Sequence, residues 1–332
     1  MNYHSIIYEV KAFINKYFRL TVALLLLISI TTPAAAETRI FIDDAGRSVE
    51  IPAKATRVIS QNDNRLTLPL LELGVPLVGS SGRVDSEGNT YMRSVPDLLG
   101  IDFDSADFEF IGTYNDLDYE KIVSLKPDLI ITMREDQVEQ LSVIAPTLVI
   151  NPNNYPVPEG MLRLAKATGY IDSYERLSLA YARKLGIVKP MFDEIGDLTV
   201  SVTFSFEAGE NVYFYKDLGA LTVVLNDLGI ELPKAAKAMD GRSMTLSRER
   251  WQDIDADFII NFFGTTAARS PSKIRAGLDK FLPGWCDFLH ACKNDQFLFF
   301  PYASYGYSFG ALGLNLDLLT THVIGRAFTP LN

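Results

Sequence analysis

Short apolar runs rich in β-branched residues recur along the chain, and a helical segment separates most of them from the next. In the first half these predicted strands are Arg57–Ser60, Pro76–Ser80, Phe108–Gly112, Asp128–Thr132 and Thr147–Ile150. In the second half they are Leu198–Phe206, Asp257–Phe263 and Phe297–Pro301. Strands that alternate with helices form parallel sheets whose two faces are covered. The pattern therefore predicts an α/β fold with a Rossmann-like parallel sheet in each half.

The segment between the two halves has a different character. Residues 151–158 are rich in Asn and Pro, which is typical of a loop that ends a lobe. Helical stretches follow, and Pro190 is expected to kink or divide the longer one. We predict a first lobe at 37–157, connecting helices at 158–195 and a second lobe at 196–332.

The N-terminus has the pattern of an export signal. A basic region at 1–19 precedes the uncharged run Leu20–Ile30, and Ala34–Ala36 supplies an A-x-A end. The run is shorter than the roughly 20 residues that a membrane-spanning helix needs, although an N-terminal anchor is the alternative. No cysteine follows the run to carry a lipid. We expect cleavage near Ala36 and a free protein in the periplasm.

Composition argues against several classes of function. The net charge of −10 is unfavourable for binding nucleic acid. The three histidines, His4, His290 and His322, are not at metal-ligand spacing, so no direct metal site is expected. No phosphate-binding loop, nucleophile motif or catalytic set is recognisable, which favours a binding protein over an enzyme and predicts no catalytic residues.

Two cysteines, Cys286 and Cys292, stand six positions apart. In an oxidising compartment such a pair can close a small disulfide loop, and two unbridged thiols on one helical face are the alternative.

Ligands of open α/β sheets bind beyond the carboxyl ends of the strands, so side chains just past the predicted strands are the candidates for a binding site. In the first half these are Asn62, Arg65, Ser81, Arg83, Thr113, Tyr114, Asn115 and Arg134. In the second half they are Glu207, Phe263, Thr265, Tyr302, Tyr305 and Tyr307. Arg242 is a further candidate from the glycine-containing loop Asp240–Arg242, which precedes the next helix.

From these candidates we select a ligand-binding set of Asn62, Arg83, Tyr114, Arg134, Arg242, Phe263, Tyr302 and Tyr305. Arginine binds oxygen anions with rigid, permanently charged donors, and aromatic rings stack on flat ligands. The set suits a large anionic, aromatic ligand. The alternatives are surface salt bridges for the arginines and packing against the last helix for the tyrosines.

The segment Phe110–Met133, FIGTYNDLDYEKIVSLKPDLIITM, resembles a signature of the binding proteins of ABC importers for iron siderophores and vitamin B12. Further segments follow the pattern of that family in the same order: Phe41–Ser60, Leu70–Arg83, Leu225–Pro233 and Leu246–Ile260. The resemblance covers nearly all of 40–325 and is stronger in the first lobe than from residue 195 onward. Gly88–Gly100, with the aromatic C-terminal part, is most similar to ferric enterobactin-type siderophore binders.

This resemblance to the class III, helical-backbone type implies two lobes joined by a single long helix, with the ligand in the cleft between them. It implies a monomer that binds a ferric siderophore, anionic and catecholate-like, and delivers it to an inner-membrane ABC permease. Iron(III) would travel as the chelate, so the protein would need no cofactor and no metal ligands of its own.

In the family one surface glutamate on each lobe docks on the permease, and Glu120 and Glu249 are the matching residues here. The simpler alternative is that each carboxylate stabilises the start of its helix.

Other functions stay open. The same fold could bind haem, cobalamin or ferric citrate, and Tyr114 or Tyr302 could serve as an axial ligand of haem. An enzyme that modifies or reduces the chelate is a second alternative. A sensory domain that reads the ligand without transport is a third.

Overall fold

The computed structural model describes residues 37–205, 211–264 and 270–331, and the predicted apolar runs form strands of two separate sheets in it. From Thr38 onward the chain forms a single unit. The predicted signal peptide at 1–36 lies outside the described residues, and so do the candidates Glu207 and Thr265.

The first sheet has the strand order β5-β4-β3-β7-β8, and β6 also pairs with β4. Its members are β3 (Val58–Ser60), β4 (Leu77–Val84), β5 (Thr90–Tyr91), β6 (Glu109–Thr113), β7 (Leu129–Thr132) and β8 (Thr147–Val149). All pairings are parallel except that of β5. A hairpin of β1 (Thr38–Ile42) and β2 (Ser48–Pro52) precedes the sheet. Strand β7 is buried along its whole length, as its apolar sequence predicts.

The second sheet has the order β11-β10-β9-β12-β13. Its members are β9 (Val200–Ser205), β10 (Val212–Tyr215), β11 (Ser243–Leu246), β12 (Phe258–Phe263) and β13 (Phe297–Pro301). Strand β12 is parallel to both of its neighbours. Strands β10 and β11 are antiparallel additions that the sequence analysis did not predict. The second lobe is therefore a mixed sheet with a parallel centre.

Eleven helices of the α type occur in the described ranges. They are α1 (Leu68–Glu72), α2 (Val95–Leu99), α3 (Tyr119–Ser124), α4 (Val138–Ser142), α5 (Val157–Thr168), α6 (Ile171–Asp193), α7 (Gly219–Leu228), α8 (Lys234–Lys237), α9 (Pro271–Phe281), α10 (His290–Lys293) and α11 (Phe309–Leu319). None of the helices in the described part of the chain is long and apolar enough to cross a membrane. Helices α5 and α7 end at Gly169 and Gly229, whose φ angles of +84° and +77° suit glycine.

Helix α6 joins the two lobes. Its 23 residues span about 35 Å at a rise of 1.5 Å per residue. The helix runs through Pro190 to Asp193, so of the two predicted effects of Pro190, a kink or a division, the division does not occur. Pro190 lies in the last turn, where the helical hydrogen bond that it removes is near the end of the ladder.

Side chains of α6 hold the helices of the second lobe in place. The Tyr181 hydroxyl donates to the Asp227 carboxylate at 2.6 Å, and the Lys184 ammonium donates to the Gly313 carbonyl at 2.9 Å. Burial, together with the Asp227 carboxylate, raises the pKa of Tyr181, so its hydroxyl stays protonated.

One apolar cluster runs through both lobes. It contains Val58 and Leu68 from the first lobe, Leu164 from α5, and Phe258 and Leu312 from the second lobe. Lobes that share a large hydrophobic core move little relative to each other. The architecture is therefore suited to a cleft that is shaped before a ligand arrives.

A disulfide joins Cys286 and Cys292 in the second lobe, with their Cα atoms 5.2 Å apart. That separation lies within the usual range for a disulfide. The bridge ties the short turn at Trp285–Phe288 to α10.

Candidate functional site

A cavity of about 360 Å³ is lined by side chains of both lobes. The first lobe supplies most of its wall: Asn62, Asn64, Arg65, Arg83, Arg93, Tyr114, Met133 and Asn153. The second lobe supplies Arg242 and Tyr305. The structure thus brings together five of the residues selected from the sequence, namely Asn62, Arg83, Tyr114, Arg242 and Tyr305.

Asn62 organises the wall that follows β3. Its side-chain oxygen accepts hydrogen bonds from the backbone N–H groups of Asn64 at 3.2 Å and Arg65 at 2.8 Å. This cap begins the buried helical turn at Asp63–Thr67 and places Arg65 in the cavity wall. Asn62 therefore positions the residues beside it.

Arg65 is a buried cation, with only 6% of the residue exposed. Its Nη2 donates to the Tyr305 hydroxyl of the second lobe, and its guanidinium carbon lies 4.4 Å from the centroid of the Tyr305 ring. Its Nη1 is buried and has no hydrogen bond. A buried charge without a counter-ion is unfavourable by several kcal/mol in an apolar setting. Arg65 is therefore poised to bind an anion.

Two of the other cavity arginines are paired with acids. Arg93 donates from Nε and Nη2 to the two oxygens of buried Asp63, at 2.9 and 2.5 Å. Burial alone lowers the pKa of Arg93, but the hydrogen bond and charge of Asp63 outweigh it and raise the pKa. Arg242 donates from Nε to Asp217 at 2.8 Å, and both side chains are more exposed than the first pair.

Arg83 is exposed where β4 ends. Neither Arg65 nor Arg83 has a carboxylate partner within the described ranges. The cavity therefore combines four arginines with two paired acids. In a chain of net charge −10, this arrangement creates a local positive potential.

The remaining three selected residues do not line the described cavity. Arg134 forms an ion pair with Asp136 at 2.5 Å, and its guanidinium lies 5.5 Å from the centroid of the Tyr114 ring. The Asp136 carboxylate, only two positions along the chain, accepts two hydrogen bonds from this arginine. Its contribution to the site is to support Tyr114.

Tyr302 and Phe263 are packing residues. Tyr302 is 8% exposed and meets the Tyr305 ring edge-on, with centroids 5.3 Å apart. Burial raises the pKa of its hydroxyl. Phe263 packs against the second apolar cluster, which includes Trp251 and Trp285.

The cavity also contains residues that the sequence analysis did not select: Asn64, Arg65, Arg93, Met133 and Asn153. Arg65 follows a predicted strand end and is among the wider candidates, whereas Arg93 follows β5, a strand of two residues that the sequence does not predict. Both polar atoms of the Asn64 amide and the Oδ1 of Asn153 are buried without hydrogen bonds. Such groups need a water molecule or a ligand as a partner.

Glu120 and Glu249 lie at the surface and do not line the cavity. Glu120 is exposed in the first turn of α3, whose start Asp118 caps by accepting from the Lys121 N–H at 2.9 Å. Glu249 is exposed in the helical turn at Arg248–Ile254. Neither carboxylate is in an ion pair with another described residue.

Over the parts of the chain that the structure describes, no group of three His, Cys, Asp or Glu side chains could hold a metal ion. The donors around the cavity are guanidinium, amide and phenol groups, which suit an oxygen-rich anion.

A family model described as periplasmic binding protein matches residues 68–273. The iron(3+)-hydroxamate-binding protein YxeB of Bacillus subtilis is 25% identical over 291 residues, covering 84% of this chain and 84% of YxeB. Among solved structures, Staphylococcus aureus SirA complexed with staphyloferrin B has a TM-score of 0.66 at 24% identity, covering 85% of this chain and 98% of SirA. The FhuD protein from S. pseudintermedius has a TM-score of 0.67 at 20% identity, covering 87% and 99%.

Proposed function

Because this chain belongs to the periplasmic binding protein family, we propose that it binds an anionic ferric siderophore in the arginine-lined cavity. The ligand is of the catecholate type, and the protein delivers it in the periplasm to an ABC permease of the inner membrane. The iron arrives with all of its coordination positions filled by the chelator.

Arg65 is the observation that carries this proposal. Its guanidinium is buried, its Nη1 has no hydrogen-bond partner among the described residues, and its Nη2 donates to a neutral phenol. An anionic oxygen of a ligand would supply the missing acceptor and the missing counter-charge. Hydrogen bonds to charged groups contribute about 1.5–3 kcal/mol each, so one such contact supports substantial affinity.

The preference for a catecholate follows from the aromatic groups. Tyr114 and Tyr305 place two rings at the cavity, and Arg65 and Arg134 lie over their faces. Flat rings of a ligand can stack on these tyrosines and on the exposed guanidinium of Arg83. The name of YxeB as an iron(3+)-hydroxamate-binding protein supports the wider class of ferric chelates with oxygen donors.

Calorimetric titration of the purified protein tests the cargo. The panel contains ferric catecholate, ferric hydroxamate and ferric citrate complexes, together with haem and cobalamin. We expect the ferric catecholate to bind most tightly, with a dissociation constant below the micromolar range. Tight binding of haem or cobalamin, with no binding of any ferric chelate, would show that the cargo is wrong.

Delivery to a permease is supported by the exposure of Glu120 and Glu249, because an exposed carboxylate without an ion pair is free to dock on a cationic partner. The double substitution Glu120→Ala and Glu249→Ala should abolish uptake by cells and leave ligand affinity unchanged. A double substitution of Glu135 and Glu139, also exposed in the first lobe, is the control and should leave uptake intact. Loss of ligand affinity in the first variant would contradict the docking role.

A further inference from the structure

A second chamber of about 340 Å³ lies beside the arginine cavity. Asn153 of the first lobe and Arg242 of the second line both spaces, so a single wall separates them. Small-molecule sites usually measure roughly 300–1,000 Å³. Each chamber alone is at the lower end of that range, and the two together suit a ligand that has two parts.

The linings of the two chambers differ in charge. Of the four cavity arginines, Arg242 is the one that also lines the second chamber, where it is paired with Asp217 and joined by Lys216. The Lys216 ammonium already donates to the carbonyls of Lys237 and Met239, at 3.3 and 3.0 Å. The second chamber is therefore much less suited to a highly charged iron centre.

The other side chains of the second chamber are neutral. Asn153, Asn154 and Asn226 each offer an amide, which is both a donor and an acceptor. The Oδ1 of Asn153 is buried and has no hydrogen-bond partner among the described residues. Val223 adds apolar surface one turn before Asn226 on α7. This mixture suits an uncharged arm that carries amide or hydroxyl groups.

We infer that the second chamber binds an amide-bearing organic arm of the chelator while the arginine cavity binds the iron-bearing, anionic part. This inference rests on the proposed function and adds the part of the ligand that would determine specificity. Val223 and Asn226 are the specificity-determining residues, because both reach the second chamber without lining the arginine cavity.

Two iron(III) complexes of equal charge test the inference. Both contain three 2,3-dihydroxybenzamide groups per iron. One chelator ends in an N-methyl group, and the other is N-(2,3-dihydroxybenzoyl)glycinamide, which adds an uncharged amide arm. Calorimetry should show that the native protein binds the glycinamide complex about tenfold more tightly than the N-methyl complex. That difference is the effect of one or two hydrogen bonds.

Val223→Phe narrows the chamber, so it should lower the affinity for the complex with the amide arm more than the affinity for the N-methyl complex and thereby remove the preference. Val123→Phe, on the exposed face of α3, is the matched control and should keep the preference. Asn226→Leu, at an exposed position that tolerates substitution, should reduce the preference about threefold. Thermal unfolding checks that each variant is folded.

The outcomes separate the two proposals. Equal affinity of the native protein for the two complexes, or equal weakening of both by Val223→Phe, overturns the inference and leaves the proposed function standing. If neither complex binds the native protein, the proposed function falls and the inference falls with it. Arg65→Met should weaken both complexes by the same factor and preserve their ratio.

Discussion

Replacing Arg65 by methionine should separate ligand affinity from stability. Methionine matches the unbranched part of the arginine side chain as far as Nε, so the substitution removes the charged end of the guanidinium group and leaves an apolar side chain. We expect the ferric catecholate to lose a charge-assisted hydrogen bond of about 1.5–3 kcal/mol, which is a drop in affinity of about 10- to 150-fold.

The stability of the unliganded protein should change in a different way. Substituting an apolar residue for a buried ion often leaves stability unchanged or raises it by about 1–4 kcal/mol. The variant loses the hydrogen bond to Tyr305, worth about 1 kcal/mol, and the cation–π contact, worth about 0.5–2 kcal/mol. Because Tyr305 is half-buried, its hydroxyl can find water in the cavity instead. We therefore expect the free energy of unfolding to stay within about 1 kcal/mol of the native value.

Calorimetry gives the affinity, and urea unfolding gives the stability in the absence of ligand. The matched control is Arg83→Met, which removes an exposed cation from the same cavity. Exposed ion pairs contribute about 0.2–1 kcal/mol, so the control should lose less than about fivefold in affinity. The reasoning fails if Arg65→Met binds the chelate as tightly as the native protein, or if the control loses as much.

Three further predictions concern the rest of the molecule. Replacing both Cys286 and Cys292 by serine should lower the free energy of unfolding by about 2 kcal/mol, and reductant should have the same effect on the native protein in thermal melts. Asp43→Asn should destabilise the protein by about 1.5–3 kcal/mol at pH 7, because buried Asp43 accepts from the Val149 N–H and from Arg47. Burial raises the pKa of Asp43, but these contacts outweigh burial and lower the pKa. The stabilisation by Asp43 is therefore present above about pH 4 and disappears as the pH falls below that value. Urea unfolding at about pH 7 and about pH 3 should show that the difference in stability between the native protein and the variant is smaller at the lower pH. Mass spectrometry of protein exported by bacterial cells should find Glu37 at the N-terminus, and an intact residue 1 would contradict the signal-peptide prediction.

The strands of both sheet centres could be predicted from the sequence because each is a nearly continuous apolar run. Strands β10 and β11 could not, because VYFY and SMTL are short, partly exposed runs without a continuous apolar stretch. The prediction of a binding protein rather than an enzyme is confirmed by the family to which the chain belongs. The catecholate, the permease and the lobe boundaries stay predictions.

The site was only partly predictable for a physical reason. The rule that ligands lie beyond strand ends locates Arg65, Arg83 and Arg134 equally well. Which of them keeps an unpaired charge depends on neighbours that the fold supplies, such as Asp136 beside Arg134 and the phenol of Tyr305 beside Arg65. Arg93 could not be selected from the sequence because β5, the edge strand before it, has only two residues and is not recognisable as a strand.

The apolar core that both lobes share has a consequence for how cargo is exchanged. A cleft built on one core is already in its binding shape, so ligand capture should proceed at a rate set by encounter and should slow as salt screens the arginines. Release of the ligand therefore cannot depend on a spontaneous wide opening of the two lobes. In the proposed delivery, the permease would have to force the lobes apart and break the contact between Arg65 and Tyr305 to free the chelate.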